Sequence, residues 1–199
     1  MLRAWLYLIP KSVTEGIQEY HVKPDLSEIG LPGKEILQYA KRIVNLRYEL
    51  NSLYLIKQNR KIFRPSDETE KYSLDLAINV VRSKKDFKEW IDMMYKYIYE
   101  SSGGNKAEAI LVNFGHDIYK IRWVISKLRN DFFHDKEQFE DHEKHRRQLS
   151  GIYQSFIDRK YPVEDDDWLK LQLVIMNRVY EWLSLVLREL KNSQSRSLA

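Results

Sequence analysis

Between residues 34 and 59 the apolar side chains Ile36, Leu37, Ala40, Ile43, Val44, Leu46, Leu50, Leu53 and Leu55 recur largely three and four apart. That spacing predicts an amphipathic helix with one buried face. Phe87, Trp90, Ile91, Met94, Tyr95, Ile98 and Tyr99 keep the same spacing and predict a second helix over residues 85–100. Their rings read as core, not as a platform for stacking bases. The strictest pattern follows: Ala107, Leu111, Phe114, Ile118, Ile121, Ile125, Leu128 and Phe132 alternate four and three apart on one long helix. Such a stripe suits either the core of its own domain or a twofold-related copy of the chain. Residues 136–160 are charged at first and then amphipathic, through Phe139, Leu149, Ile152, Tyr153, Phe156 and Ile157, which predicts an edge helix. Over residues 168–190 nearly every turn is apolar on more than one side, so this helix is central or lies in an interface.

Breakers and caps separate these segments. Residues 1–32 form the least regular part, expected to be a packed arm with a short helix near residues 12–20 and turns at Pro24-Asp25 and Pro32-Gly33. Pro65-Ser66-Asp67 stops one helix and starts another, whose apolar residues are too crowded to define a face. Ser83 with Asp86 three residues on is a capping pattern. Ser101-Ser102-Gly103-Gly104 is the clearest break, with Asn105 and Glu108 restarting the helix. Pro162 ends the edge helix, and Glu164-Asp165-Asp166-Asp167 places acids where the next helix dipole favours them, a helix start in preference to a metal cradle. The tail, residues 191–199, is polar and expected to fray.

Composition agrees with an all-α protein: 7 Gly and 5 Pro in 199 residues leave few breakers. We expect one domain over residues 1–199. The absence of Cys removes disulfides, thiolate metal sites and cysteine nucleophiles, and fits a reducing cytoplasm. The apolar start ends at Pro10, too short to cross a bilayer, so no membrane association is expected. A net charge of +4, from 33 basic and 29 acidic residues, permits an anionic partner without requiring one.

The chemistry gathers at the end of the strict stripe, in Leu128-Arg129-Asn130-Asp131-Phe132-Phe133-His134-Asp135. Arg129 is a permanent cation suited to a phosphate, and His134 is the side-chain type that titrates near neutrality. Together they cover RNA cleavage, which needs the 2'-hydroxyl deprotonated, the phosphorane charge stabilised and the leaving 5'-oxygen protonated. Asn130 can orient either group, and Asp131 or Asp135 can bias the imidazole. The plainer alternative is a helix C-terminus whose carbonyls favour cations. Lys127, Lys136 and Arg122 are the nearby cations expected to meet RNA. His142 and His145, three apart among acids, are read as part of a solvated helix, with no metal or cofactor expected.

Arg129-Asn130, three residues, then His134 resembles the signature of the HEPN superfamily, in both motif and placement after a long helix. The resemblance implies a helical bundle that dimerises, brings two motifs to one groove and cuts RNA to a 2',3'-cyclic phosphate without metal. It implies toxin–antitoxin or anti-phage defence in a prokaryote, with an antitoxin or other regulatory protein as a partner. Some members are instead non-catalytic dimerisation or nucleotide-sensing modules. HEPN toxins paired with a nucleotidyltransferase antitoxin carry a Tyr two residues beyond the His, where this chain has Lys136. Residues five apart on a continuous helix diverge by about 140°, so Arg129 and His134 are expected to meet across a dimer or at a helix break.

Overall fold

The computed structural model describes residues 31–64, 66–99, 103–112, 120–133 and 142–197. These residues form seven α-helices and no strand: α1 (Leu31–Gln58), α2 (Asp67–Ile78), α3 (Lys84–Tyr99), α4 (Gly103–Val112), α5 (Lys120–Phe133), α6 (His142–Ile157) and α7 (Asp165–Ser197). The all-α expectation holds. The predicted N-terminal arm, apart from its last two residues, lies outside the described residues, as do Phe114 and Ile118 of the strict stripe.

The spacing on α1 buries Ile36, Ala40, Ile43, Val44 and Leu50 on one side. That side packs against α7, in the most extensive helix–helix contact among the described residues. Pro32 and Gly33, expected in a turn, stand in the first turn of α1 instead. A proline there sacrifices no helical hydrogen bond, because the first N–H groups have no intrahelical acceptor. Asn59 leaves the helix with φ 50°, donating its N–H to Leu55 O at 2.9 Å, a left-handed cap that asparagine tolerates.

Beyond that cap Asn51 clamps the chain back onto α1: its Nδ2 donates to Phe63 O and its Oδ1 accepts from Phe63 N, both at 2.8 Å. The held Phe63 ring then occupies the space a Cβ at Gly103 would need. Gly104 is equally constrained, since a Cβ there would lie 2.8 Å from Arg122 Cζ and 2.9 Å from Ile98 O. α3 ends at Tyr99 and α4 begins at Gly103, so the two glycines stand just past the break the sequence suggested. They form the first turn of α4, small because neighbours approach it closely.

Ser66 caps α2 as expected, in a reciprocal pair with Thr69 (Thr69 N to Ser66 Oγ 3.2 Å, Ser66 N to Thr69 Oγ1 2.7 Å). At the start of α3, Ser83 Oγ accepts from Asp86 N at 3.2 Å, while Asp86 Oδ2 accepts from Arg82 N at 3.0 Å. Between these helices, Gln172 of α7 donates to Asn79 O at 2.7 Å and accepts from Val81 N at 2.9 Å. Its buried amide thus satisfies the turn that α2 and α3 leave open. Arg47 enters the core by a different route, with its guanidinium 4.1 Å from the Tyr97 ring and 4.9 Å from that of Phe63.

α7 is the central helix. Asp167 opens it, accepting from Val163 N (2.8 Å) and Glu164 N (3.1 Å). These backbone donors outweigh desolvation and hold its carboxyl below the ordinary value. Trp168, Leu171, Ile175, Met176, Val179, Trp182, Leu183 and Val186 are all buried. The helix does not end near Leu190; it continues to Ser197. Lys57 ties the continuation to α1 by donating to Leu190 O and, at 2.7 Å, to Ser193 Oγ, and Lys191 pairs with Glu49 at 2.7 Å.

The strict stripe is spent inside the chain. Ala107, Leu111, Ile121, Ile125 and Leu128 are buried, and Phe132 packs on Phe87 and Trp168 at centroid distances of 6.1 and 6.3 Å. Of the two surfaces expected to serve a twofold interface, the described part of this stripe and the greasy face of α7 are both core of one chain.

Candidate functional site

α5 carries its apolar stripe inward, so the last turn presents Arg129 and Asn130 part-way to solvent. Arg129 Nε donates to Asp92 Oδ1 of α3 at 2.8 Å, and its guanidinium lies 4.6 Å from the Tyr95 ring and 5.4 Å from that of Phe133. The described residues offer no acceptor to its Nη1 and Nη2. Asp92 also meets Lys96 at 3.0 Å. Partial burial alone would raise the Asp92 carboxyl, but the hydrogen bonds and charges of Arg129 and Lys96 prevail and hold it below its usual range. The result is a guanidinium fixed by one edge, flanked by aromatic rings and still a quarter exposed.

The neighbouring residues divide into two groups. Asp131 faces α6, where its Oδ1 is 3.5 Å from Nε2 of the buried His145. Of the two acids expected to bias His134, this one is engaged elsewhere. Lys127 holds its ammonium 5.7 Å from the Trp123 ring, and Trp123 is exposed. His134, Asp135 and Lys136 lie outside the described residues.

Arg122 corrects the sequence reading. It was expected to meet RNA, but it is buried, with Nη1 against Glu108 and Nη2 donating to Asn105 Oδ1 at 3.0 Å. It joins α4 to α5 and presents no cationic surface. His142 and His145 also separate, the first exposed and the second buried, and no group of three potential ligands suits a metal among the described residues.

Sequence reasoning missed Asp92, Tyr95 and Trp123. Asp92 and Tyr95 lie more than 30 residues from Arg129 and carry no local signal. Trp123 did carry one, as an aromatic residue two positions past Ile121 and thus on the face opposite the apolar stripe. No family model, curated protein or solved structure matches the chain.

Proposed function

We propose that the chain is a metal-independent endoribonuclease of the HEPN type, acting as a homodimer in prokaryotic toxin–antitoxin or anti-phage defence. The observation that carries this reading is the Arg129-Asn130-x3-His134 motif, with Arg129 held by Asp92 at the end of α5. In the proposed reaction His134 removes the proton of the 2'-hydroxyl, whose oxygen bonds to phosphorus. The P–O5' bond breaks, and a proton passes to the leaving 5'-oxygen. Arg129 stabilises the charge of the phosphorane, and its fixed edge lowers the entropic cost of doing so. Asn130 orients these groups, and Lys127 and Lys136 meet neighbouring phosphates. Since the two long apolar faces are internal, pairing of two chains would use the surface around the motif itself.

A non-catalytic module is the competing reading, and one observation favours it: the Arg129–Asp92 pair also serves as a structural contact between α3 and α5. Incubating the protein with end-labelled RNA in EDTA separates the two. Cleavage to 2',3'-cyclic phosphate ends is expected, and strict dependence on added Mg²⁺ would remove the mechanism. Mixing Arg129→Ala with His134→Ala protein tests the dimer, because exchange creates one intact cross-chain site. Activity should return on mixing. A mixture that stays inactive after confirmed exchange would place both residues of a site in one chain.

A further inference from the structure

Gly103, Gly104 and Gly151 divide sharply. Gly103 and Gly104 are explained by what presses on them, Phe63 in one case and Arg122 and the Ile98 carbonyl in the other. Gly151 is not: among the described residues a Cβ added there would meet nothing within 4 Å. It nonetheless sits in the middle of α6, where glycine weakens a helix. It lines an open cavity of about 410 Å³ formed by α5, α6 and α7.

The walls of that cavity are apolar and aromatic, with Trp123, Val124, Ile152 and Phe156 beside the glycine. Trp123 is 41% exposed, although α5 has a buried face on which a residue of its size could be placed. Four polar side chains share the lining: Gln148, Ser155, Arg178 and Glu181. Ser155 donates to Ile152 O at 2.9 Å, and Glu181 accepts from Arg178 at 2.9 Å and from Asn177 at 3.0 Å. Outside the lining, Lys127 keeps its ammonium beside the Trp123 ring.

From this arrangement we infer that the groove between α5, α6 and α7 is a nucleobase-binding site, with Trp123 as the stacking surface and Gly151 as the residue that leaves room for the base. The chemistry selects a base over other occupants. A planar π-system stacks on an indole face whatever its sequence identity. The Gln148 amide both donates and accepts, and the Glu181 carboxylate accepts, as an edge bearing N–H and ring-nitrogen groups requires. An acyl chain would offer no partner to the Gln148 amide. A partner helix, about 10 Å across, needs a longer trough than a cavity of this size offers. Lys127 adds positive charge for a phosphate attached to the base.

The base has two possible sources, a free mononucleotide or a nucleotide of a single-stranded RNA. The site is independent of cleavage and stands whether or not Arg129 and His134 form a catalytic pair. Calorimetric titration of the full chain with AMP, GMP, CMP and UMP, and of the Arg129→Ala protein with a short single-stranded RNA, reads the two sources without strand loss. We expect at least one mononucleotide, or the RNA, to bind. Gly151→Leu should weaken that binding at least tenfold while leaving the melting temperature unchanged or raised, because it fills empty space and improves the helix. Trp123→Ala should weaken binding similarly, and Trp123→Phe should restore most of it. Absence of binding by the starting protein, or undiminished binding by Gly151→Leu, would overturn the assignment. So would a Gly151→Leu change confined to sedimentation mass, which would make the groove a contact between copies of the chain.

Discussion

Along α1 and α7 apolar faces close on one another; between α5 and α6 they stop short. In the first seam Ile43, Leu50, Val179, Trp182 and Val186 are all but inaccessible, and the ends are secured by Lys57 and by the Lys191–Glu49 pair. In the second, Leu128 and Leu149 are buried, yet Trp123 stands exposed and Gly151 faces open space. The same residue types thus do opposite things. Large apolar residues that meet partners set stability, whereas those left beside a cavity with polar walls are available for binding, and exposure separates the two uses better than residue type.

The two tryptophans sharpen this contrast most. Trp182→Ala should cost about 3–5 kcal/mol in urea unfolding, the range for removing a buried aromatic side chain. Trp123→Ala should stay within about 0.5 kcal/mol of the parent. Equal losses would mean that the α5–α6 groove is as much a part of the core as the α1–α7 seam.

A pair of arginines seven residues apart on α5 repeats the test in charge. Arg129→Ala should reduce RNA cleavage by about 100-fold or more, equivalent to about 2.7 kcal/mol at the transition state, with little change in stability. Arg122→Met should reverse that pattern, because it strands Glu108 and Asn105. Since Glu108 is 28% exposed, the stability loss should be about 2 kcal/mol, less than for a fully buried pair. Cleavage rates and urea midpoints measured side by side would show whether the two roles are separable.

The smallest effect is acid sensitivity. Asp92 and Asp167 both have carboxyls held below their ordinary value. Their contribution is therefore complete above the unfolded carboxylate pKa of about 3.9 and is lost as pH falls through the lower folded value. The melting temperature should fall below about pH 4, and less steeply in Asp92→Asn. An unchanged acid limb in that variant would show that the Arg129–Asp92 contact does not contribute to folding.

Much of the architecture was legible because periodicity reports which face of a helix meets a partner. The apolar positions of α1, α3 and α7 are buried nearly as their spacing required, and the Ser66 and Asp165–Asp167 starts were visible in residue type alone. What the pattern cannot carry is the identity of the partner. The stripe through Ile121, Ile125 and Leu128 looks the same whether it meets its own core or a second chain. Gly103-Gly104 looks like part of the break before α4 unless one knows that Phe63 and Arg122 press against it. The polar stretch after Leu190 looks frayed because its attachments, Lys57 and Glu49, lie more than 130 residues away. Arg122, Lys127 and Arg129 likewise look alike as charges, and only burial separates a tie between helices from a cation left for a ligand.

The pairing of α1 with α7 also governs the order in which the molecule can assemble. A nascent chain emerges with Ile36, Ile43 and Leu50 already on an exposed apolar face, and the helix that covers them is the last of the seven to be synthesised. Loop closure over nearly the whole described length must precede the contact that stabilises it, and such non-local pairing slows folding. Arg47, half-sandwiched by rings that are themselves delivered from α3 and the loop after α1, keeps a charge on that waiting face until Phe63 and Tyr97 arrive to enclose it.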